Sequence, residues 1–180
     1  MKILAIHADH IDFEAKKQAI KDPEPLKQAK ESVKECLVVF LSVEKPDESN
    51  PQAVIKQLVS QVQDITQKLN TNKVVLYPYA HLSSDLADLK VAGKLLLDAH
   101  EAVVAAGFEV THAPFGWYKS FEISCKGHPL SELSREFSGE VKKKVSLDKP
   151  FEFAEEELDN DVKVQLSASF ALIKALKEMF

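Results

Sequence analysis

The stretch Glu35-Cys36-Leu37-Val38-Val39-Phe40-Leu41-Ser42-Val43, together with the residues onward to Tyr79, decides the fold. Its β-branched, aromatic and leucine side chains, flanked by charge, predict a strand. Apolar residues fill successive positions rather than alternate ones, which marks a strand covered on both faces. A polar loop comes next, Lys45-Pro46-Asp47-Glu48-Ser49-Asn50. Asn50-Pro51 is a helix start, with Asn at the N-cap and Pro at the first helical position. Ile55, Leu58, Val59, Val62, Ile65 and Leu69 then recur at steps of three and four, giving one apolar stripe on a helix that ends near Asn70. Lys73 to Tyr79 is the next strand, with Val74, Val75, Leu76 and Tyr77 in a row. Strand, helix and strand make a βαβ unit over about residues 35–79. Its crossover is right-handed if both strands share a sheet.

The flanking segments fit the same α/β class. Lys2 to Ala8 is a short strand, apolar at Ile3, Leu4, Ala5 and Ile6. Ile11 to Lys17 reads as a strand or a helical turn, and Lys21-Asp22-Pro23-Glu24-Pro25 as a loop, because two prolines break either periodicity. A second helix is expected from Ser84 or Asp85 to Ala106, with Leu86, Leu95, Leu96, Ala99 and Val103 inward and Gly107 as its stop. Phe108 to His112 and Trp117 to Cys125 are expected strands. Pro129 is expected to open a short helix carrying Glu132 in its first turn. Beyond Ser138 come runs of charge, among them Lys142-Lys143-Lys144 and Glu155-Glu156-Glu157. An amphipathic stretch with Val164, Leu166, Phe170, Ile173 and Leu176 closes the sequence. The chain therefore divides into a domain over 1–138 and a linker with a terminal amphipathic helix over 139–180.

Composition bounds the function. At 180 residues the chain has room for one domain and an appendage. With 45% hydrophobic and 28% charged residues, it is not disordered or fibrous. Asp and Glu outnumber Lys and Arg by 28 to 23, which argues against a broadly basic nucleic-acid surface and leaves only a local patch. Two cysteines, Cys36 and Cys125, give neither a disulfide framework nor zinc spacing and favour a reducing compartment. No apolar run approaches the ~18 residues of a membrane span, and the opening strand reaches His7 and Asp9 too soon for a signal peptide. A cytoplasmic protein with no membrane partner is expected.

Several chemistries are weak. His7, Asp9 and His10 invite a metal, but on a strand only His7 and Asp9 share a face, and no fourth ligand stands near; none is expected. Five glycines leave no phosphate-cradling loop, and there is no Gly-x-Ser-x-Gly elbow. Cys125, on an apolar strand face, is expected to be inert core.

The informative places are those where the pattern breaks. Alternation along Trp117 to Cys125 puts Lys119 on the face of Trp117, Phe121 and Ile123. A lysine there is desolvated unless a carboxylate, a ligand or water meets it. The competing reading is a lysine near the strand end that reaches solvent. Tyr77-Pro78-Tyr79-Ala80-His81-Leu82-Ser83-Ser84 delivers a histidine at a strand's carboxyl end, the usual ligand crevice of α/β sheets. His81 is either a site residue or a satisfied structural histidine, and Ser83 or Ser84 is most simply a helix cap. Glu132 is either a helix-start charge or a partner of Lys119.

Those segments carry a resemblance. Tyr77 to Ser84 and the longer Ala113-Pro114-Phe115-Gly116-Trp117-Tyr118-Lys119-Ser120-Phe121-Glu122-Ile123-Ser124-Cys125-Lys126-Gly127-His128-Pro129-Leu130-Ser131-Glu132-Leu133-Ser134-Arg135 are similar to the N-terminal editing domain of archaeal threonyl-tRNA synthetases. So are Phe40 to Lys45 and the opening Met1 to Asp9. The similarity covers about residues 1–137. It implies a D-aminoacyl-tRNA deacylase-like fold of layered β-sheets and helices, often dimeric, here with a C-terminal helical extension. It implies an aminoacyl-tRNA ester hydrolase that removes serine from tRNA(Thr), needing no cofactor. Its partners would be the serine-bearing tRNA 3′ end, a synthetase catalytic module in cis or in trans, and a second copy of the chain.

Residue by residue, the resemblance puts Lys119 and Tyr118 at the aminoacyl group and its attacking water. Glu132 would be the acidic residue holding Lys119, and His81 would shape the pocket. Backbone around Val43, Pro78 and Ala80 would hold the terminal adenosine, and Phe115 would wall the pocket. The missing catalytic triad fits chemistry by a positioned water, the substrate's 2′-OH and a cation. A D-aminoacyl-tRNA deacylase and a non-catalytic tRNA 3′-end binding module are the alternatives.

Overall fold

In the computed structural model, which describes residues 1–138, strand β1 spans Lys2–Gln18. The two segments read separately at Lys2–Ala8 and Ile11–Lys17 are one strand. An irregularity at Asp9 hides this in the sequence. There the pairing of β1 with β5 (Trp117–Cys125) shifts register between Ala8 and His10. Opposite, Glu35 of β2 (Lys30–Ser42) adopts φ +52°. Across these two residues the parity of one face changes on both strands: Leu4, Ile6 and Ala8 give way to Ile11 and Phe13, and Val33 to Cys36 and Val38. A bulge resets the two-residue period, so simple alternation cannot be followed through it. The Lys126 ammonium bonds the carboxylates of both Asp9 and Glu35 and ties the irregular residues together.

The βαβ unit is present. β2 runs parallel to β3 (Lys73–Pro78), and α1 (Pro51–Leu69) connects them. Asn50 caps α1, its Oδ1 accepting the Ala53 N–H at 3.2 Å, and Asn70 ends it at φ +52°. β4 (Glu109–His112) adds parallel to β3. β6 (Glu132–Glu136) pairs antiparallel with the first residues of β1. The sheet order is β4-β3-β2-β1-β5, with β6 beside β1. One face packs on α1 and α2 (Leu89–Ala105) through Ile3, Leu37, Val39, Leu58, Val62, Leu95 and Val103. Each such buried side chain contributes roughly 1.5–3 kcal/mol. The opposite face carries Ile11, Phe13, Val38, Phe40, Val75 and Tyr77.

Three expectations are corrected. α2 begins at Leu89, not at Ser84 or Asp85, because Asp88 is the N-cap, accepting from Lys90 N–H at 2.9 Å. The Ser83 hydroxyl donates to Glu44 instead of capping a helix, so Leu86 lies ahead of α2 and is exposed rather than core. No helix opens at Pro129. The Ser131 N–H closes a turn on the His128 carbonyl (2.9 Å), and the chain at once pairs with β1 as β6. Cys125, at the end of β5, is exposed; the buried thiol is Cys36, pushed up to about 11 by burial. The linker and terminal helix expected over 139–180, with Lys142 to Lys144, lie outside the described residues. No helix among the described residues is long and apolar enough to cross a membrane.

Candidate active site

Parallel strands β2 and β3 end side by side, Leu41 opposite Pro78. Their carboxyl ends and the β4–β5 connection enclose a cavity of about 330 Å³. Val43, Pro78, Ala80, His81, Phe115, Tyr118 and Lys119 all line it. The structure thus brings together every residue singled out for the site except Glu132.

Lys119 enters from β5 with its stem on the aromatic face. Its Nζ donates to the carbonyls of Pro114 (2.9 Å) and Trp117 (3.2 Å) and lies 5.1 Å from the centre of the Tyr77 ring. No carboxylate pairs with it among the described residues. Burial pushes its pKa down to about 8, partly opposed by the charge of Glu24. At neutral pH it is a cation held in an apolar recess by two carbonyl dipoles and a π-face, poised for a developing negative charge. The surrounding rings are interlocked: Tyr77 meets Phe121, Phe40 and Phe13 at 5.0–5.7 Å between centroids. Burial raises the Tyr77 phenol to about 12, so it stays neutral beside the Lys119 ammonium at ordinary pH.

Tyr118 and His81 stand at the mouth. Tyr118 is 63% exposed, as alternation between the partly buried Trp117 and Lys119 dictates, and the register of β5 on β1 shifts beside it, between Ala15 and Lys17. His81 lies in a single 3₁₀ turn, Ala80–Leu82, its ring 5.3 Å from that of Tyr79. The backbone is partly committed: the Val43 carbonyl accepts from Ala87 N–H at 3.1 Å and the Ala80 carbonyl from Ser83 N–H at 3.2 Å. A carbonyl has a second lone pair, so each can take a ligand donor as well.

Glu132 stands elsewhere. It pairs with Ile6 on β1, whereas Lys119 pairs with Ala15. Nine residues along β1 separate those partners, about 30 Å of strand. Within one chain Glu132 does not hold Lys119. The expected helix that would bring it back is a strand, and its carboxylate lies near the Cys125 thiol at 3.7 Å. The candidate metal residues are also used otherwise: His7 Nδ1 lies 2.8 Å from His128 Nε2, and Asp9 is bonded to Lys126. No three His, Cys, Asp or Glu side chains converge as a metal site among the described residues.

Two residues of this region carry no signal in the sequence. Ser42 lines the cavity, is 3% exposed, and its hydroxyl has no hydrogen-bond partner among the described residues. A serine inside an apolar strand run gives no sign of this. Glu24, in the loop between β1 and β2, binds the Phe115 segment through both its side chain and its backbone.

The family described as the archaea-specific editing domain of threonyl-tRNA synthetase matches residues 1–137. The chain belongs to this family. Among its relatives is the threonine–tRNA ligase of Methanococcus aeolicus, 51% identical over 142 residues, covering 79% of this chain and 22% of that protein. The ligase of Methanobrevibacter smithii is 51% identical over 144 residues, covering 78% and 23%. That of Thermococcus onnurineus is 44% identical over 162 residues, covering 88% and 26%. The editing-domain chain spans about a quarter of the length of these curated relatives. A solved structure titled c-Myc DNA Unwinding Element Binding Protein shares the fold, with a TM-score of 0.53 at 8% identity, covering 76% of this chain and 99% of that one.

Proposed function

We propose that the cavity hydrolyses L-seryl-tRNA(Thr), by attack of a positioned water and without a covalent enzyme intermediate, a metal or a cofactor. The observation that carries this reading is the Lys119 ammonium, desolvated in an apolar pocket and, among the described residues, bonded only to carbonyls. Such a group is worth keeping only where a negative charge is to appear. The aminoacyl ester is already activated, so water can attack its carbonyl carbon directly. Lys119 steadies the oxyanion or orients the water. The ester C–O bond then breaks, the 3′-oxygen takes up the proton, and serine leaves a free tRNA end. The neighbouring 2′-OH of the substrate can relay that proton. Tyr118 and His81 bound the amino acid at the mouth. Val43, Pro78 and Ala80 backbone and the Phe115 ring hold the terminal adenosine, which is the same in every tRNA.

The need for such a site is physical. A synthetic site distinguishes serine from threonine by one methyl, roughly 1–3 kcal/mol, and a second site that hydrolyses the smaller product restores fidelity. The synthetase catalytic module, in cis or in trans, would supply the mischarged tRNA in the cytoplasm. It would also supply tRNA affinity that an acidic chain of net charge −5 does not provide by itself.

Single-turnover deacylation of Ser-tRNA(Thr), Thr-tRNA(Thr) and a D-aminoacyl-tRNA tests the proposal, with wild type beside Lys119→Met. Serine should be lost roughly 10–200-fold faster than threonine, and Lys119→Met should be inactive in a folded protein. An active Lys119→Met variant, or loss of the D-amino acid alone, would overturn it. Binding of the tRNA end without turnover would point to a recognition module instead.

A further inference from the structure

The Lys119 ammonium and the Glu24 carboxylate grip opposite ends of one peptide group. Lys119 Nζ donates to the Pro114 carbonyl at 2.9 Å, and the Phe115 N–H donates to Glu24 Oε2 at 3.0 Å. Pro114 C=O and Phe115 N–H belong to the same amide. Anion, peptide dipole and cation therefore lie in one hydrogen-bonded chain, an arrangement in which each bond polarises the next. His112 Nε2 lies 2.8 Å from the same Glu24 oxygen. The Glu24 N–H donates to the Phe115 carbonyl at 3.1 Å, and the Trp117 indole donates to the Glu24 carbonyl at 2.8 Å. One loop residue thus makes four bonds to the segment that carries Phe115, Trp117 and Lys119, or to the strand that precedes it.

We propose that Glu24 is a positioning residue of the site, fixing the place and the charged state of the Lys119 ammonium through the 114–115 peptide. It touches neither substrate nor reacting water; it acts through Lys119. The consequence for rate rests on the hydrolysis proposed above, whereas the coupling to Lys119 does not. Among the described residues, the groups facing this hydrogen-bonded chain are few. Toward Lys119 stand the Tyr77 ring from β3 and the charge of Glu24. Toward Glu24 stand His112 from β4 and His100 from α2, whose rings are 5.6 Å apart. Burial works against the Glu24 charge, and the bonds from His112 and Phe115 more than offset it, so the carboxyl lies below its usual range. It is an anion throughout the range in which Lys119 titrates. Removing that charge must make the ammonium harder to keep.

The test measures Lys119 directly. In protein labelled at the lysine ε-carbon, the Lys119 resonance, assigned by its absence in Lys119→Met, is titrated in wild type and Glu24→Gln. The Lys119 midpoint should fall in Glu24→Gln by about half a unit or more. Glu24→Asp, which keeps the charge, should lie nearer wild type. In parallel, the pH profile of single-turnover seryl hydrolysis should lose its alkaline limb at the same lowered midpoint, with kcat affected more than KM. A Lys119 midpoint unmoved in folded Glu24→Gln overturns the inference. Should Glu24→Gln not fold, Glu24→Ala, which also removes the charge, takes its place: a lowered Lys119 midpoint supports the inference and an unmoved one overturns it. A wild type that does not hydrolyse the ester refutes the proposed reaction while the titration still decides the role of Glu24.

Discussion

Lys119 is held against the interests of stability, and that can be measured. Its pKa drops from 10.5 to about 8 on folding because burial disfavours the ammonium. That shift corresponds to about 3 kcal/mol. Below pH 8 both folded and unfolded chains carry the proton, so the whole cost is present. Between pH 8 and 10.5 the folded chain binds fewer protons, and stability rises. Above 10.5 both are neutral and the cost is gone. Lys119→Met keeps the length of the stem and removes the charge. It should therefore raise stability at pH 7 by about 1–3 kcal/mol, less than the full figure because two carbonyls lose a donor. The advantage should shrink to nothing by about pH 10.5, read from urea unfolding of both proteins across pH. The same variant should lose hydrolysis by about 10²–10³-fold or more.

Ser42 offers the converse. Its hydroxyl is buried without a partner among the described residues, so Ser42→Ala should leave stability unchanged or raise it by about 1 kcal/mol. If the bound adenosine or amino acid supplies that partner, KM should rise several-fold in deacylation assays. Lys119 is legible in the sequence because a lysine on an apolar strand face contradicts its surroundings. Ser42 and Glu24 are not: nothing local distinguishes a serine within a strand, or a glutamate between two prolines, until the fold decides what faces them.

At the scale of elements, the site depends on two loops closing on each other. Ala19 N–H donates to the Gly116 carbonyl at 2.8 Å, beside the bonds of Glu24 to the same segment. Gly116 has φ +81°, and a Cβ there would stand 2.7 Å from Ile20 Cδ1 and 3.0 Å from the Pro23 Cα. Gly116→Ala thus incurs both backbone strain and a clash with main chain. It should cost about 2 kcal/mol or more and slow hydrolysis, because Lys119 and Phe115 leave their places. Gly107 is the control: it has φ +96°, and an added methyl would meet nothing within 4 Å. Gly107→Ala should cost only the backbone strain, about 1 kcal/mol, with the hydrolysis rate retained. Equal losses in the two variants, by urea unfolding, would mean that the loops do not touch as described.

Local rules read the elements well where a cap or stop is explicit. Asn50-Pro51, Asn70 and Gly107 all mark real ends. They fail at α2, where Ser83 looks like a cap but bonds Glu44 across the fold, and after Pro129, where pairing with β1 overrides a helix start. Both failures are tertiary contacts prevailing over local propensity.

Across the whole molecule, β1 is the ruler that separates Lys119 from Glu132. The two residues pair with positions nine residues apart on that strand. Glu132 also begins an edge strand whose other side has no partner strand among the described residues. A role for Glu132 at the cavity therefore requires a second copy of the chain, whose exposed β6 would carry the carboxylate to its neighbour's pocket. Complementation decides this. If Glu132 acts from the second copy, Lys119→Met and Glu132→Gln are each inactive alone. Mixed in equal amounts, half of all dimers would be heterodimers, each with one site holding both an intact Lys119 and an intact Glu132. About a quarter of wild-type activity should return, and it should fall on dilution as dimers part. A Glu132→Gln protein that is fully active alone, or a mixture that stays inactive, removes Glu132 from the site. It would leave Lys119, set by Glu24 within a single chain, as the charge on which hydrolysis turns.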